Sequence, residues 1–273
     1  MAHTLFNLCN RVAVVSGAAS GLGKAMATAL AEVGADVVLA DINGEGAQGT
    51  AHELEALGVR ALPVACDMSN PDQIRTLFST VDRAYGRVDI LGNVAGNARG
   101  GDPLTVPQAD VEFTMQNLIV GRLVACQEAA QRMVREGKGS IINLISIAGI
   151  TALGRNHLPY SMGMAGAAQM TRELSTEWSG RGVRVNGIVC AQITNAGLDE
   201  RIAADPKLAK TYLRGIPMGR LGQSDDIKGV SIFLASDASA WITGALIPLD
   251  GGNLAKNAGG SHHQMPDAPD EQR

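Results

Sequence analysis

Ser16-Gly17-Ala18-Ala19-Ser20-Gly21-Leu22-Gly23 is the stretch that decides the fold of this 273-residue chain. It follows an apolar run directly and opens a helical pattern. Its glycines allow a tight turn and let the backbone approach a pyrophosphate, whose charge then meets the N-terminus of the helix. A plain structural turn also uses glycines, so this stretch alone is weak support for a dinucleotide site.

An acid at the end of the next apolar run strengthens that interpretation. Asp41 ends the run Val-Val-Leu-Ala-Asp. A carboxylate at this point accepts hydrogen bonds from the ribose hydroxyls of an adenosine and repels a 2′-phosphate. The next residue is Ile42, whereas an Arg or Lys would accommodate such a phosphate. The sequence therefore predicts NAD rather than NADP as the cofactor.

Apolar runs and helical patterns alternate from this stretch almost to the end of the chain. Several runs are continuously apolar, as in VAVVS, VVLA and SIINLI, which is typical of strands buried on both faces of a parallel sheet. The sequence predicts one α/β domain with a Rossmann-type, doubly wound, seven-stranded parallel sheet, whose ligands lie beyond the carboxyl ends of the strands. The predicted strands are 11–16, 36–41, 60–66, 88–94, 140–145, 183–189 and 245–249, and the predicted helices lie near 21–34, 44–57, 71–85, 108–136, 160–180 and 224–236.

Composition and charge exclude several classes of function. Hydrophobic residues make up 45% and charged residues 18%, which is a globular composition. A net charge of −4 and the lack of a basic stripe give no reason to expect a nucleic acid or an anionic membrane as partner. No apolar run approaches the ~20 residues of a membrane span, and no signal-peptide pattern opens the chain.

The cysteines and the end of the chain complete the domain picture. The four cysteines form no CxxC pair and have no histidine at metal-ligand spacing, so we expect no metal site and a reducing, cytoplasmic compartment. Residues 1–252 are predicted to form the dinucleotide-binding domain. Residues 253–273 are predicted to be a polar tail, either mobile or lying on a neighbouring subunit.

Further short segments follow in order along the chain. The glycines of the opening stretch are spaced Gly-x₃-Gly-x-Gly, and the later segments are Cys66-Asp67-Met68, Gly86-Arg87-Val88-Asp89, Asn93-Val94-Ala95-Gly96, Gly219-Arg220-Leu221-Gly222 and Asp250-Gly251-Gly252. Over about residues 8–252 this pattern resembles the short-chain dehydrogenase/reductase family, and its C-terminal half resembles the gluconate 5-dehydrogenase and 3-oxoacyl-carrier-protein reductase types. The resemblance implies that Asp67 lies near the adenine ring and that residues 93–96 close the fourth strand against the cofactor. It implies further cofactor contacts at Cys66, Met68, Tyr160, Met164, Cys190, Ile193 and Asn195.

Three polar residues stand where the family has its active-site asparagine, serine and tyrosine: Asn117, Ser146 and Tyr160. Moving a hydride between an alcohol carbon and nicotinamide requires a proton to leave or join the oxygen in step. A tyrosine can carry that proton if its phenolate is accessible, and a neighbouring hydroxyl can hold the substrate oxygen. We therefore expect an NAD-dependent oxidoreductase that interconverts a secondary alcohol and a ketone, with Tyr160 as acid and base and Ser146 on the oxygen.

The family's lysine is missing. It stands four residues after the tyrosine, one helical turn along, and that position is Met164. By the resemblance, the lysine hydrogen-bonds the nicotinamide ribose, and its charge lowers the pKa of the tyrosine by about 1–3 units. Methionine can do neither. We expect a raised pH optimum, or a nearby cation or water in the lysine's role, and the candidate cations are Arg99, Arg155 and His157.

Two smaller departures follow the sixth predicted strand. The family usually has Pro-Gly there, where this chain has Cys190-Ala191. The family's threonine near the carboxamide falls at Asn195, with Thr194 adjacent. Asn195 can still hydrogen-bond a carboxamide, and Cys190 is interpreted as a small apolar replacement rather than a reactive thiol.

Two other functions stay open. The chain could be a catalytically impaired NAD-binding protein used for sensing or assembly, although an inactive site has no need of Ser146 and Tyr160. It could also be a non-redox lyase or dehalogenase that uses only those two residues, although such enzymes have no need of the glycine stretch and Asp41.

The helix after Tyr160 is rich in small residues between 163 and 168. In the family this helix takes part in a dimer contact that is repeated in tetramers, so a homotetramer or dimer is expected. Packing of the same residues against the protein's own sheet is the other explanation.

Overall fold

The computed structural model describes residues 4–256 and shows within them seven strands in one sheet. The strands are β1 (Val12–Ser16), β2 (Asp36–Asp41), β3 (Ala61–Ala65), β4 (Ile90–Asn93), β5 (Gly139–Ser146), β6 (Val183–Cys190) and β7 (Leu246–Leu249). Their order across the sheet is β3-β2-β1-β4-β5-β6-β7, and every neighbouring pair is parallel. The order reverses direction between β1 and β4, so the doubly wound sheet predicted from the sequence is confirmed.

Helices connect the strands and cover the sheet. They are α1 (Gly21–Glu32), α2 (Gly44–Glu55), α3 (Pro71–Tyr85), α4 (Gln108–Met115), α5 (Gly121–Glu136), α6 (Leu158–Trp178), α7 (Ala196–Ala204), α8 (Pro206–Leu213) and α9 (Lys228–Ala235). A π-helical segment, Gln116–Val120, separates α4 from α5, so the single helix predicted over 108–136 is interrupted. The short helices α7 and α8 lie where the sequence patterns predicted none.

The capping residues of α3 illustrate how the sequence sets the ends of a helix. The side chain of Asn70 accepts hydrogen bonds from the backbone N–H groups of Asp72 and Gln73, at 3.0 and 3.2 Å. Pro71 stands in the first turn, where its missing N–H has no helical partner to lose. Gly86 ends the helix in the left-handed conformation with φ 70°, which glycine adopts without strain.

Each face of the sheet carries its own apolar core, because successive side chains of a strand point to opposite faces. Ala13 and Val15 of β1 belong to the core that α1, α2 and α9 cover, whereas Val12 and Val14 belong to the core under α3 and α5. With both faces covered, a ligand has access to the sheet only at the ends of its strands.

The predicted boundary at residue 252 falls in a turn that continues to residue 256. The remainder of the predicted tail, residues 257–273, lies outside the described residues. Between residues 4 and 256, no helix combines the length and the apolar character needed to cross a membrane.

Candidate active site

The candidate site begins where the sheet reverses direction, at the carboxyl ends of β1 and β4. The Ser16 hydroxyl joins these two ends: it donates to the carbonyl oxygen of Gly92 at 3.3 Å and accepts from the backbone N–H groups of Val94 and Ala95 at 2.9 and 3.0 Å. Ser16 is fully buried. Its side chain therefore holds the floor of the site together and does not face a ligand.

The glycine stretch forms an open cradle above that floor. Gly17 and Gly21 have φ values of 71° and 53°, a region that residues with a side chain rarely adopt. A Cβ atom at Gly23 would lie 2.0 Å from the carbonyl oxygen of Gly17, so the first turn of α1 can approach the loop only without a side chain there. A Cβ at Gly21 would meet nothing within 4 Å, which leaves room above the N-terminus of α1 for an anionic group.

Asp41 stands beside this cradle at the end of β2. Its carboxylate accepts hydrogen bonds from the backbone N–H groups of Ala19 and Asn43, both at 2.9 Å. These bonds fix the carboxylate at the rim while it remains half-buried. Ile42 next to it is 75% exposed and offers no charge to a phosphate.

A cavity of about 670 Å³ runs from the cradle across the carboxyl ends of the strands. A cavity of this size can accommodate a dinucleotide, and its lining includes both the glycine cradle and the rim carboxylate, groups suited to a pyrophosphate and to ribose hydroxyls. The predicted cofactor residues that line it are Gly17, Ser20, Gly21, Leu22, Gly23, Asp41, Ile42, Cys66, Asp67, Met68, Val94, Ala95, Gly96, Ile193 and Asn195. Ser16, Asn93, Tyr160, Met164 and Cys190 do not line it.

Asn93 has a structural role in the described contacts. It is buried, and its side-chain amide donates to the carbonyl oxygen of Arg122 at 3.1 Å and to the Asn143 side chain at 3.2 Å. Asn143 in turn donates to the Thr171 hydroxyl at 2.9 Å. This buried chain ties β4 and β5 to α5 and α6, so Asn93 acts on the site by holding the elements that form it.

Ser146 and Tyr160 come together beside the cavity, at the carboxyl end of β5 and the start of α6. Burial raises the pKa of Tyr160, while hydrogen bonding by Ser146 and the charge of Arg122 lower it. The His157 ring stands edge-on to the Tyr160 ring, with 6.1 Å between the ring centroids. The predicted pair of hydroxyl groups is thus close enough for Ser146 to act on the pKa of Tyr160. A substrate oxygen bound at both groups would meet one that moves a proton and one that holds the oxygen.

Cys190 lies next to this pair, because it is the register partner of Ser146 across β5 and β6. Burial, with a smaller contribution from Asp250, raises the pKa of the Cys190 thiol to about 12. The thiol is therefore neutral at neutral pH and poorly nucleophilic, in accord with its interpretation as a small apolar residue.

Asn117 lies in the π-helical segment and lines the cavity. Its side-chain amide donates to the carbonyl oxygen of Phe113 at 2.9 Å. Single π turns inside α-helices are frequent at functional sites, because the extra residue turns the following side chains to new directions.

Asn195, at the other end of the cavity, caps α7: its side-chain oxygen accepts from the Leu198 N–H at 3.0 Å, and its amide nitrogen lies 3.5 Å from the Ile193 carbonyl oxygen. The Thr194 hydroxyl donates to the carbonyl oxygen of Gly222 at 3.2 Å. The segment that faces the predicted nicotinamide end is therefore held by its own helix cap and by the Gly222 loop.

Met164 is one turn after Tyr160 on α6 and only 5% exposed. A Cβ atom at Gly149 would lie 2.5 Å from its backbone carbonyl carbon, so α6 packs closely on the turn after β5. The position of the family's lysine is thus an apolar, enclosed one in this chain.

The three predicted substitute cations have other partners or carry no charge. Arg99 pairs with Asp110 at 2.8 Å and lies over the Phe113 ring at 4.2 Å. Arg155 lies over the Tyr212 ring at 4.6 Å. Burial lowers the pKa of His157, and two arginines lower it further, so this histidine is neutral at neutral pH.

Arg122 is the residue that the sequence patterns missed. Its side chain is buried at the start of α5, and its guanidinium donates to the carbonyl oxygens of Leu144, Val94 and Ala95. Its position was detectable, because it falls at helical spacing between the buried residues Leu118 and Cys126. A charged residue on a buried helix face calls for an explanation.

A second cavity, of about 690 Å³, opens at the amino ends of the strands. It is lined by residues that include Arg11, Arg184 and Trp241, and it contains none of the predicted catalytic residues. Within residues 4–256, no group of three His, Cys, Asp or Glu side chains could hold a metal ion.

Known proteins similar to this chain cover almost all of it. A family model described as enoyl-(acyl carrier protein) reductase matches residues 17–253. The D-threitol dehydrogenase of Mycolicibacterium smegmatis is 36% identical over 252 residues, which cover 92% of this chain and 95% of that protein.

Solved structures extend the similarity to the backbone. A short-chain type dehydrogenase/reductase from Mycobacterium marinum has a TM-score of 0.86 at 30% identity, with 92% of this chain and 98% of that chain covered. A 7α-hydroxysteroid dehydrogenase solved with NADH and 7-oxo glycochenodeoxycholic acid has a TM-score of 0.87 at 30% identity, with the same coverage.

Proposed function

Because this chain belongs to the short-chain dehydrogenase/reductase family, we propose that it is an NAD-dependent oxidoreductase that interconverts a secondary alcohol and its ketone. The observation that carries the proposal is that Ser146, at the end of β5, acts on the pKa of Tyr160, at the start of α6, next to a cavity that has a glycine cradle and a carboxylate at its rim. The first relative named above acts on a polyol, and one structural neighbour was solved with an oxo-steroid, which supports alcohols and ketones as the substrate class.

The residues divide the reaction between them as follows. Bound NAD⁺ supplies the acceptor for the hydride that leaves the alcohol carbon. The Tyr160 oxygen takes the hydroxyl proton of the alcohol, so the carbon–oxygen single bond becomes a carbonyl as the C–H electron pair leaves. The Ser146 hydroxyl donates a hydrogen bond to the substrate oxygen and offsets the charge that develops on it. In the reverse direction Tyr160 returns the proton.

The raised pKa of Tyr160 predicts how the rates of alcohol oxidation and of ketone reduction depend on pH. Alcohol oxidation needs the phenolate, and burial raises the pKa of Tyr160, so oxidation is expected to increase into the alkaline range. Ketone reduction needs the protonated phenol, which is fully populated at neutral pH. Reduction is therefore expected to proceed at neutral pH and to decline at alkaline pH.

NAD rather than NADP is the proposed cofactor. A 2′-phosphate next to Asp41 would meet a fixed negative charge, and the exposed Ile42 supplies no cation to compensate it. By the family resemblance, Asp67 and its neighbours hold the adenine, and Asn195 lies toward the carboxamide. The cavity lining formed by these residues supports that arrangement.

The apolar Met164 favours one other function, a catalytically impaired NAD-binding protein. A non-redox lyase has less support, because it would not need the glycine cradle. The two remaining possibilities for this chain, oxidoreductase and impaired binding protein, differ in turnover and not in cofactor binding.

The test combines calorimetric titration with NAD and a dehydrogenase screen across pH on D-threitol, gluconate and a hydroxysteroid. We expect NAD binding and alkaline-favoured oxidation of at least one alcohol, and Tyr160→Phe and Ser146→Ala should each lower kcat by about 10²-fold or more while NAD still binds. Tyr85→Phe is the matched control, because Tyr85 lies under Arg60, 4.2 Å from its guanidinium carbon, and lines no part of the site. Turnover that survives Tyr160→Phe unchanged contradicts the mechanism, and NAD binding without turnover on any alcohol or ketone favours the impaired binding protein.

We also propose a homotetramer or dimer in a reducing, cytoplasmic compartment. The support for the compartment is that Cys9, Cys66, Cys126 and Cys190 are all free. The assembly rests on the use that the family makes of α5 and α6.

A further inference from the structure

We propose that Arg122 supplies the positive charge that stabilises the Tyr160 phenolate, the role of the family's lysine that Met164 cannot fill. The inference rests on the proposed function, because it concerns the same tyrosine.

Arg122 is a buried cation, and within residues 4–256 no carboxylate forms an ion pair with it. Only 2% of the residue is exposed, and its acceptors within residues 4–256 are the backbone carbonyl oxygens of three residues, Val94, Ala95 and Leu144. Its Nε atom is buried and has no hydrogen-bond partner among the described residues. A buried charge is costly unless an opposite charge compensates it. The site therefore lacks an anion, and a phenolate would provide one.

The placement of Arg122 joins the two halves of the site. Its guanidinium contacts the loop after β4, which lines the cofactor cavity, and also the end of β5, two residues before Ser146. A Cβ atom at Gly96 would lie 3.3 Å from the Nη2 atom of Arg122, so the guanidinium reaches the cavity wall itself. Leu118, one turn earlier, packs against Gly163 of α6, the neighbour of Met164. The charge thus lies on α5, whose preceding turn packs against α6 next to Met164.

Among the titratable groups near Arg122 and Tyr160, the tyrosine is the one whose ionised form the Arg122 charge can stabilise. Burial lowers the pKa of Arg122 to about 10, so the guanidinium remains charged at neutral pH, and the charge of Tyr160 acts to raise that pKa again. Burial raises the pKa of Cys126, on the same helix, to about 12, and Cys190 on β6 is likewise neutral. His157, at the start of α6, is neutral, and Ser146 on β5 does not titrate.

The other cations near the cleft do not fill this role. Arg99 is committed to Asp110 and Phe113, and Arg155 lies over Tyr212. Among these candidates, the positive charge that lowers the pKa of Tyr160 is that of Arg122.

The first test measures the phenolate directly. Near-ultraviolet absorbance follows tyrosine ionisation against pH in the wild type, in Arg122→Gln and in Tyr160→Phe, and the last variant identifies the signal of Tyr160 among the three tyrosines. Glutamine keeps amide donors for the carbonyl oxygens but carries no charge. We expect R122Q to move the ionisation of Tyr160 to higher pH by about one unit or more.

The second test measures the pH dependence of alcohol oxidation. The alkaline limb is the pH range over which kcat for oxidation rises as Tyr160 ionises. R122Q should move this limb to higher pH by the same amount, so that kcat at a pH below the limb falls by about tenfold. Arg122→Lys, which keeps the charge, and the double variant R122Q/M164K, which returns it from α6, should bring the limb back toward the wild type. If R122Q does not fold, R122K alone can test the proposal. If the guanidinium acts only through its hydrogen bonds, R122K should lose much of its kcat. If the guanidinium acts through its charge, the alkaline limb of R122K should lie close to that of the wild type.

Arg184→Gln is the matched control. Arg184 is also an arginine whose guanidinium donates to backbone carbonyl oxygens, those of Leu234 and Ser236, and it lines the cavity at the opposite end of the sheet. R184Q should lower stability without moving the limb. The proposal is overturned if R122Q leaves the alkaline limb at its wild-type pH. It is also overturned if R122K moves the limb as far as R122Q does.

The two tests separate this inference from the proposed function. A chain that shows the shift in tyrosine ionisation but oxidises no alcohol contradicts the proposed function alone. An active, Tyr160-dependent chain without the shift contradicts the role of Arg122 alone.

Discussion

Single side chains in this site are held by backbone groups of neighbouring elements, and that fixes where their charge lies. Asp41 accepts from the N–H of Ala19 in the glycine stretch and from the N–H of Asn43 at the start of α2. Within residues 4–256, Arg122 donates only to carbonyl oxygens. Neither residue forms an ion pair within this range, but the two differ in access: the Asp41 carboxylate lines the cavity, whereas the Arg122 guanidinium is buried behind the cavity wall.

The charge of Asp41 predicts the cofactor preference. Asp41→Asn keeps an acceptor oxygen but removes the charge that opposes a 2′-phosphate, and one ribose hydrogen bond to a charged acceptor is lost. The ratio of NAD to NADP affinity should fall by about tenfold or more. Calorimetric titration with each dinucleotide measures the ratio. Glu45→Gln, an exposed acid in the first turn of α2, is the control for net charge, and an unchanged ratio in D41N would rule out the assignment of Asp41.

At the scale of elements, two close approaches shape the site. The first turn of α1 approaches the loop after β1, where Gly23 leaves no room for a side chain. The start of α5 approaches the segment after β3: a Cβ at Gly121 would lie 1.8 Å from the carbonyl oxygen of Met68. The glycines at 163 and 166 have the same explanation, since added Cβ atoms would meet Leu118 at 2.8 Å and Ile119 at 2.6 Å. Close packing of α6 on the protein's own π-helical segment therefore accounts for both.

A pair of identical substitutions tests the close approach at α1. Gly23→Ala should lower the melting temperature and weaken NAD binding, because the new methyl group would displace the Gly17 backbone. Gly49→Ala, on the exposed side of α2 with nothing within 4 Å, should instead stabilise the fold by about 0.5–1 kcal/mol, since alanine favours a helix. Thermal unfolding and calorimetry measure both effects. If the two variants change the melting temperature and NAD binding equally, the close approach at Gly23 does not restrict which side chain fits under the loop.

Across the whole molecule, the cavity beside Asp41 and the cavity around Trp241 lie at opposite ends of the strands. Because all seven strands within residues 4–256 run parallel, the proposed catalytic pair, the cradle and Asp41 all gather at the carboxyl ends. The cavity around Trp241 is at the amino ends and is separate from the chemistry.

Assembly is the prediction at this scale. Light scattering should give a mass of two or four times the 28.4 kDa chain. Met162 of α6 is 47% exposed, and Met162→Glu should reduce that mass if α6 forms the contact between subunits, because a carboxylate buried there would be desolvated. Leu57→Glu, at a site after α2 with 48% exposure, is the control and should leave the mass unchanged. A monomeric wild type, or equal effects of both variants, contradicts the proposed contact.

Much of the fold could be predicted because its signals are local. Strand burial produces continuous apolar runs, and the glycine stretch with Asp41 locates the turn and the rim of the cavity. The short helices α7 and α8 were missed although local signals existed: Asn195 and Asp205 are N-caps, and Pro206 follows in the first turn. The π-helical segment had no such signal, because an extra residue in a helical turn changes no residue type.

Residue identity and short-range spacing set the order of the seven strands along the chain, the glycine cradle, the acid at the rim and the replacement of the lysine by Met164. The sequence alone therefore predicts these features. Which cation lowers the pKa of Tyr160 depends instead on the packing of the folded chain. Arg99 closely follows residues 93–96, and Arg155 and His157 closely precede Tyr160, so along the chain all three are better candidates than Arg122. Their contacts and burial give them other roles. Arg122 can act on the tyrosine because α5 and α6 both pack against β5 and against each other, and that packing follows from the folding of the sheet.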